Sequence, residues 1–347
     1  MRGYRRLGRM LVGILLLSLI ASAPVGLAAQ DGTPVATPAV TCDQPLTIAF
    51  SVPGLNFPFF VHMMQEAQEA AAQIGPIELI QLDGQNSAPK QSADIEAMIV
   101  QGVDGIVISP ADVQALAPAI RSAVEAGIPV VTVDRNVMGV ETLAHVGADN
   151  VRGGELQGEY ILSLLPEGGQ VFELRGQPGA SPAIDRDAGL KRALEGQDEV
   201  EIVFDQTANF ARSEAVTVVE SGLTANPEPD VIVAANDDMA LGAAEAIQAA
   251  GLDVPIIGFD ALPEALLAIQ DGSLAATIEQ FPGRQAATAL GILVNSVCND
   301  VQPVEHDTYL PPLLITAENL GQAERAAEAG IALTGSPEAS PEASPTS

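Results

Sequence analysis

Gly105-Ile106-Val107-Ile108-Ser109 and Val130-Val131-Thr132-Val133-Asp134-Arg135 are short apolar runs that stop abruptly at polar residues. Neither run alternates apolar with polar, so each reads as a strand covered on both faces, the pattern of a parallel sheet. Between them, Val113–Ala126 places apolar residues at helical spacing. Working back towards the N-terminus, strands are predicted at Leu46–Val52 and Glu78–Leu82, with helices at Phe60–Ile74 and Ser92–Gln101. The pattern restarts after Asp149. Helices are predicted at Gly154–Leu165, Ile184–Leu194, Arg212–Leu223 and Met239–Ala250, alternating with strands Gln170–Leu174, Glu201–Asp205, Val231–Ala234 and Pro255–Gly258. Right-handed crossovers then give an α/β fold of two doubly wound parallel-sheet lobes with a cleft between them.

The ends of the chain read differently. Arg2, Arg5, Arg6 and Arg9 precede an apolar run, Met10–Ile20, that is too short to span a bilayer, and small residues follow at Gly26-Leu27-Ala28-Ala29. Residues 1–29 therefore read as a signal peptide for export. A Thr/Pro-rich spacer is expected over 30–44 and a flexible tail over 321–347, which ends in a Ser-Pro-Glu-Ala repeat. The chain has 347 residues, 15 basic and 45 acidic, so loss of the four leader arginines leaves a net charge of −34. Such a surface repels nucleic acid and anionic lipid. Cys42 and Cys298 are the two cysteines. Export permits a disulfide between them, but the residues alone leave two separate thiols equally open.

Ligands on open α/β sheets bind beyond the carboxyl ends of the strands. The residues there are Asn56, Phe59 and Phe60 in the first half, followed by Ser109, Asp134 and Arg135. The second half supplies Arg186, Phe210, Asn236, Asp260 and Gln280. Asp and Asn at single strand ends often do no more than cap the next helix. Their convergence in two sheets fits a sugar, whose hydroxyls both donate and accept while its C–H faces pack on rings. His62, His145 and His306 have no metal-ligand spacing, and no phosphate loop, dinucleotide fingerprint or nucleophile elbow occurs. No cofactor, metal or enzymatic activity is expected. Asp134 and Asp260 could in principle form a glycosidase pair, but neighbouring arginines are expected to hold both ionised.

Several of these motifs carry a resemblance. Leu55-Asn56-Phe57-Pro58-Phe59-Phe60, Thr132-Val133-Asp134-Arg135, Ala235-Asn236-Asp237-Asp238-Met239-Ala240-Leu241-Gly242, Gly258-Phe259-Asp260 and Leu274-Ala275-Ala276-Thr277-Ile278-Glu279-Gln280 resemble, in order, the ribose-binding protein family. These are type I periplasmic sugar-binding proteins. The resemblance implies an extracytoplasmic, monomeric protein that closes two hinged lobes on a monosaccharide and delivers it to an ABC transporter permease. An extracellular sugar or autoinducer sensor that presents its ligand to a signalling receptor is the alternative. It implies lobes of 45–148 plus 281–309 and 149–280 plus 310–320, with the site mapped onto the residues named above. It also implies that Cys42 and Cys298 meet at the pole far from the cleft. The chain departs from the family at Pro53, Phe57 and Ser109, where ribose binders carry Ser, Asn and Asn, which removes or shortens polar contacts in the first lobe. A related pentose, hexose or deoxy sugar is therefore expected in place of ribose.

Overall fold

The computed structural model describes Cys42 and residues 44–334. The expected signal peptide, nearly all of the spacer and the Ser-Pro repeat lie outside the described residues. The first lobe begins with β1 (Leu46–Val52), α1 (Pro58–Ile74), β2 (Ile77–Asp83), α2 (Ala88–Gln101), β3 (Gly105–Ile108), α3 (Ala117–Glu125), β4 (Val130–Val133) and β5 (Ala144–Ala148). The second holds α4 (Asn150–Leu164), β6 (Gly169–Arg175), α5 (Ser181–Ala193), β7 (Val200–Thr207), α6 (Arg212–Ala225), β8 (Val231–Ala234), α7 (Asp237–Ala250), β9 (Ile256–Ile257) and α8 (Pro263–Asp271). The chain then runs through β10 (Thr277–Glu279), α9 (Pro282–Asn299), β11 (Asp307–Leu310) and β12 (Leu313–Ile315).

The first sheet has the order β11-β5-β4-β3-β1-β2 and the second β7-β6-β8-β9, with every pair parallel. β10 and β12 form a separate antiparallel pair where the chain crosses between lobes. Ile106, Val107 and Ile108 are all fully or almost fully buried, as are Val130, Val131 and Val133. Helices cover both faces of the sheet they form. Local chemistry marks the helix ends. Ser87 and Asn236 cap α2 and α7 by accepting from the N–H groups of Lys90 and Met239. Gly102 and Gly251 end the same helices in the left-handed conformation that suits glycine.

Helices α4 and α5 touch backbone to backbone. A Cβ at Gly154 would stand 2.1 Å from the Arg186 carbonyl oxygen, and one at Gly189 would stand 2.0 Å from that of Val151. Both distances are shorter than atoms tolerate, so this helix pair exists only with glycine at the crossing. A disulfide joins Cys42 to Cys298 at the end of α9. Cys42 precedes the amino end of β1, so the bridge sits opposite the carboxyl ends of the strands.

One expectation is overturned. Residues 321–334 do not leave the fold as a tail. After β12 the chain forms a 3₁₀ turn at Leu320–Gln322 and packs back on the first lobe, burying Leu320, Ala323 and Ala326. The Glu324 carboxylate accepts from the N–H groups of Gly283 and Arg284 at 2.7 and 3.2 Å and from His62 Nε2 at 3.1 Å. It thereby caps α9, which has no side-chain cap of its own. Arg325 donates to the Pro58 carbonyl at the start of α1, and the Glu324 N–H donates to buried Glu279 in β10. This return strap thus ties the first turns of two helices to a crossing strand.

Candidate functional site

The lobes meet directly. The Val113 N–H donates to the Gly179 carbonyl at 2.9 Å, and the Asn136 N–H to Ser181 Oγ at 2.9 Å. Asp112 approaches Gly179 so closely that a Cβ there would lie 2.1 Å from its Oδ2. Behind these contacts, at the carboxyl ends of both sheets, lies a small cavity lined by charged, amide and aromatic side chains from both lobes. That suits a small ligand enclosed between two lobes.

β4 delivers Asp134 and Arg135 to it, and the first turn of α1 delivers Phe59 and Phe60. From the second lobe come Arg186 on α5, Phe210 after β7, Asn236 at the cap of α7 and Asp260 after β9, with Gln280 after β10. Three of these residues hold the backbone in a conformation rare for side-chain-bearing residues: Asp134 at φ 59°, Phe210 at φ 60° and Asp260 at φ 115°. Each such residue costs on the order of 1–3 kcal/mol and persists only where its surroundings fix it. The Asp134 N–H bonds the Val146 carbonyl and the Asp260 N–H that of Ile278, which fixes both aspartates.

Two predicted residues stay out of the cavity. Asn56 is exposed and accepts from Asn86 Nδ2 at 3.0 Å. Ser109 is wholly buried behind Asp134 and donates to its Oδ2 at 3.1 Å, so it orients the carboxylate and does not face the space. Conversely, Phe57 and Pro182 line the cavity although the sequence did not mark them as site residues. The available signal for Phe57 was its position between the β1 end and the Pro58 helix start.

The charged groups are tightly committed. Arg135 lies between the Phe60 and Phe210 rings, its guanidinium carbon 5.4 and 5.6 Å from their centroids, and donates to the Ala111 carbonyl. Arg186 stacks on Phe259 at 3.6 Å and donates to Asn150 Oδ1 and the Ala235 carbonyl. Gln280 Nε2 donates to Asp260 Oδ1 at 2.5 Å. The arginines do not dominate the carboxylates as expected. Burial raises the Asp134 pKa despite Arg135 and Arg186, and burial together with the Asp134 charge pushes Asp260 up to about 7. Burial and Arg186 likewise lower Arg135 to about 10. The two acids and two bases are spent largely on one another, which favours a ligand without a strong charge of its own. Nothing in the set resembles a nucleophile with its base.

Another acidic group, Glu173, Asp187 and Asp205, has metal-compatible spacing. The Lys191 ammonium lies 3.9, 2.5 and 3.6 Å from these three and already supplies the cation. Among the described residues no helix is long and apolar enough to cross a membrane.

Two α/β lobes closed on a neutral cavity of paired charges and rings define a two-lobed solute-binding protein. The periplasmic binding protein domain profile matches residues 48–299. The chain is 40% identical over 257 residues to the ribose import binding protein RbsB of Bacillus subtilis, covering 74% of this chain and 81% of that protein. It is 40% identical over 242 residues to RbsB of Escherichia coli, with 70% and 81% covered. The Caulobacter myo-inositol binding protein, solved with myo-inositol, superposes with a TM-score of 0.77 at 40% identity, over 82% of this chain and 97% of that one. The chain belongs to the periplasmic binding protein family, within the ribose-binding group of type I sugar-binding proteins, which are binding proteins and not enzymes.

Proposed function

We propose that the chain is exported, captures a neutral monosaccharide or cyclic polyol between its lobes, and delivers it to the permease of an ABC importer. The observation that carries this reading is the convergence of Asp134, Arg135, Arg186, Asn236, Asp260 and Gln280 on one small space also walled by Phe60 and Phe210. A hydroxyl donating to Asp260 while accepting from Arg186 uses both of its hydrogen-bonding capacities, and C–H faces pack on the rings. The ribose import proteins and the myo-inositol complex support the ligand class and the importer. The basic-then-apolar leader supports export.

With no Trp in the chain, binding is best read by titration calorimetry or dye-based thermal shift. Ribose, allose and myo-inositol form the first panel. At least one ligand should raise the melting temperature, and Asp260→Ala should weaken its binding about 10- to 100-fold, the worth of a charge-assisted hydrogen bond. A flat response across pentoses, hexoses and cyclitols would refute the sugar reading.

A further inference from the structure

Phe57 adds a purely apolar surface to a cavity whose polar capacity is otherwise limited. It stands at the N-cap of α1, a position that ordinarily carries Ser, Thr, Asp or Asn, and it provides no side-chain cap. Its ring is buried, packs edge-on to Phe60 at 6.2 Å between centroids, and faces the cavity.

The polar groups on the other walls have little unused capacity. Asp134 Oδ2 is taken by Ser109, Asp260 Oδ1 by Gln280, and Arg135 Nη1 by Ala111 and Gln177. Arg186 spends Nε and Nη1 on Asn150 and Ala235, and Asn236 caps Met239 while donating to Phe210. What remains is one oxygen on each aspartate, the buried unpartnered Gln280 Oε1, Nη2 of each arginine, Nε of Arg135 and one Asn236 N–H. That set satisfies about three hydroxyls, each as donor and acceptor. The rest of the wall is carbon: Phe57, Phe59, Phe60, Phe210 and Pro182. A hydroxyl turned towards it loses water and gains no partner, at about 1–3 kcal/mol.

We infer that the ligand carries a CH₂ or CH₃ where it meets Phe57, so that the preferred class is a deoxy sugar or deoxycyclitol and not its fully hydroxylated parent. This rests on the reading that the cavity holds a neutral sugar, and it makes Phe57 the residue that sets specificity.

The test is calorimetry on matched pairs: D-galactose with D-fucose, D-allose with 6-deoxy-D-allose, L-mannose with L-rhamnose, and myo-inositol with its monodeoxy derivatives. For the pair that binds best, the deoxy member should bind about 10-fold tighter to the wild-type protein. Phe57→Asn should reverse that order, and Phe57→Leu, still apolar, should keep its sign. Parents binding as tightly as their deoxy partners, or an unchanged ratio in Phe57→Asn, would overturn the inference while leaving the sugar reading intact. No binding by any pair while ribose binds would overturn the inference alone, and no binding by the pairs or by ribose and other pentoses would remove both. Should Phe57→Asn fail to fold, the wild-type and Phe57→Leu ratios alone decide.

Discussion

Replacing both cysteines, as Cys42→Ser with Cys298→Ser, opens a loop closed across 256 positions of sequence. In the chain-entropy description, a crosslink over that span removes about 19 cal/mol/K from the denatured ensemble, or about 5–6 kcal/mol at 25 °C. Native disulfides deliver roughly 2–5 kcal/mol of such upper values, so a loss of about 3–5 kcal/mol is expected. For roughly 290 folded residues the unfolding entropy is about 0.6 kcal/mol/K, which converts this to a fall of about 5–9 °C in melting temperature. The folded state should survive. β1 remains paired in full register with β2 on one side and with β3 on the other, and the bridge lies at the pole opposite the cavity. Ligand affinity should therefore change by less than about 2-fold. Urea unfolding with and without reductant reads the stability, and its m-value should rise in the double variant because the uncrosslinked chain exposes more surface. A stability loss under about 1 kcal/mol, or a tenfold loss of affinity, would show that the bridge acts on the native state and would refute the entropic account.

The ligand-free protein should grow more stable as pH falls from about 8.5 to 6. Burial first, with neighbouring acids, raises Asp260 to about 7 and Glu173 and Glu279 to about 8, so the folded state holds protons that the unfolded chain has released. The gain should be on the order of a few kcal/mol, and a melting temperature that is flat or falls over that range would contradict it. Glu324→Gln should cost about 1–2 kcal/mol in denaturant unfolding, because the strap then loses its charged cap on α9 and its pairing with His62. An unchanged midpoint would mean that the strap contributes nothing at that contact.

The sheets were legible because their strands are written as unbroken apolar runs. β1 and β8 fall on the expected residues, and β3, β4 and β6 within a residue or two. β5 escaped notice because Ala144-His145-Val146-Gly147-Ala148 has weak strand propensity, and only β4 and β11 on either side make it one. The strap was invisible for a related reason. Its Ala- and Glu-rich sequence continues smoothly into the polar repeat, and its order comes from a carboxylate reaching a helix start some forty residues back in the chain. In the site, identity at strand ends was readable but orientation was not. Asn56 and Phe57 are neighbours, and local backbone geometry turns the amide to solvent and the ring inward. Whether burial or arginine controls Asp260 depends on depth, which sequence spacing does not encode.

The glycine crossing of α4 and α5 leaves no atom that can be trimmed or enlarged without parting the two backbones. Arg186 rides on that joint, and its guanidinium is pinned there by Asn150, the Ala235 carbonyl and the Phe259 ring. The stretch from Pro53 to Phe60 has no comparable clamp against a second helix. A library meant to retune ligand choice should therefore randomise 55–60 and leave 184–190 alone; natural relatives exploring new sugars would be expected to vary on the same side.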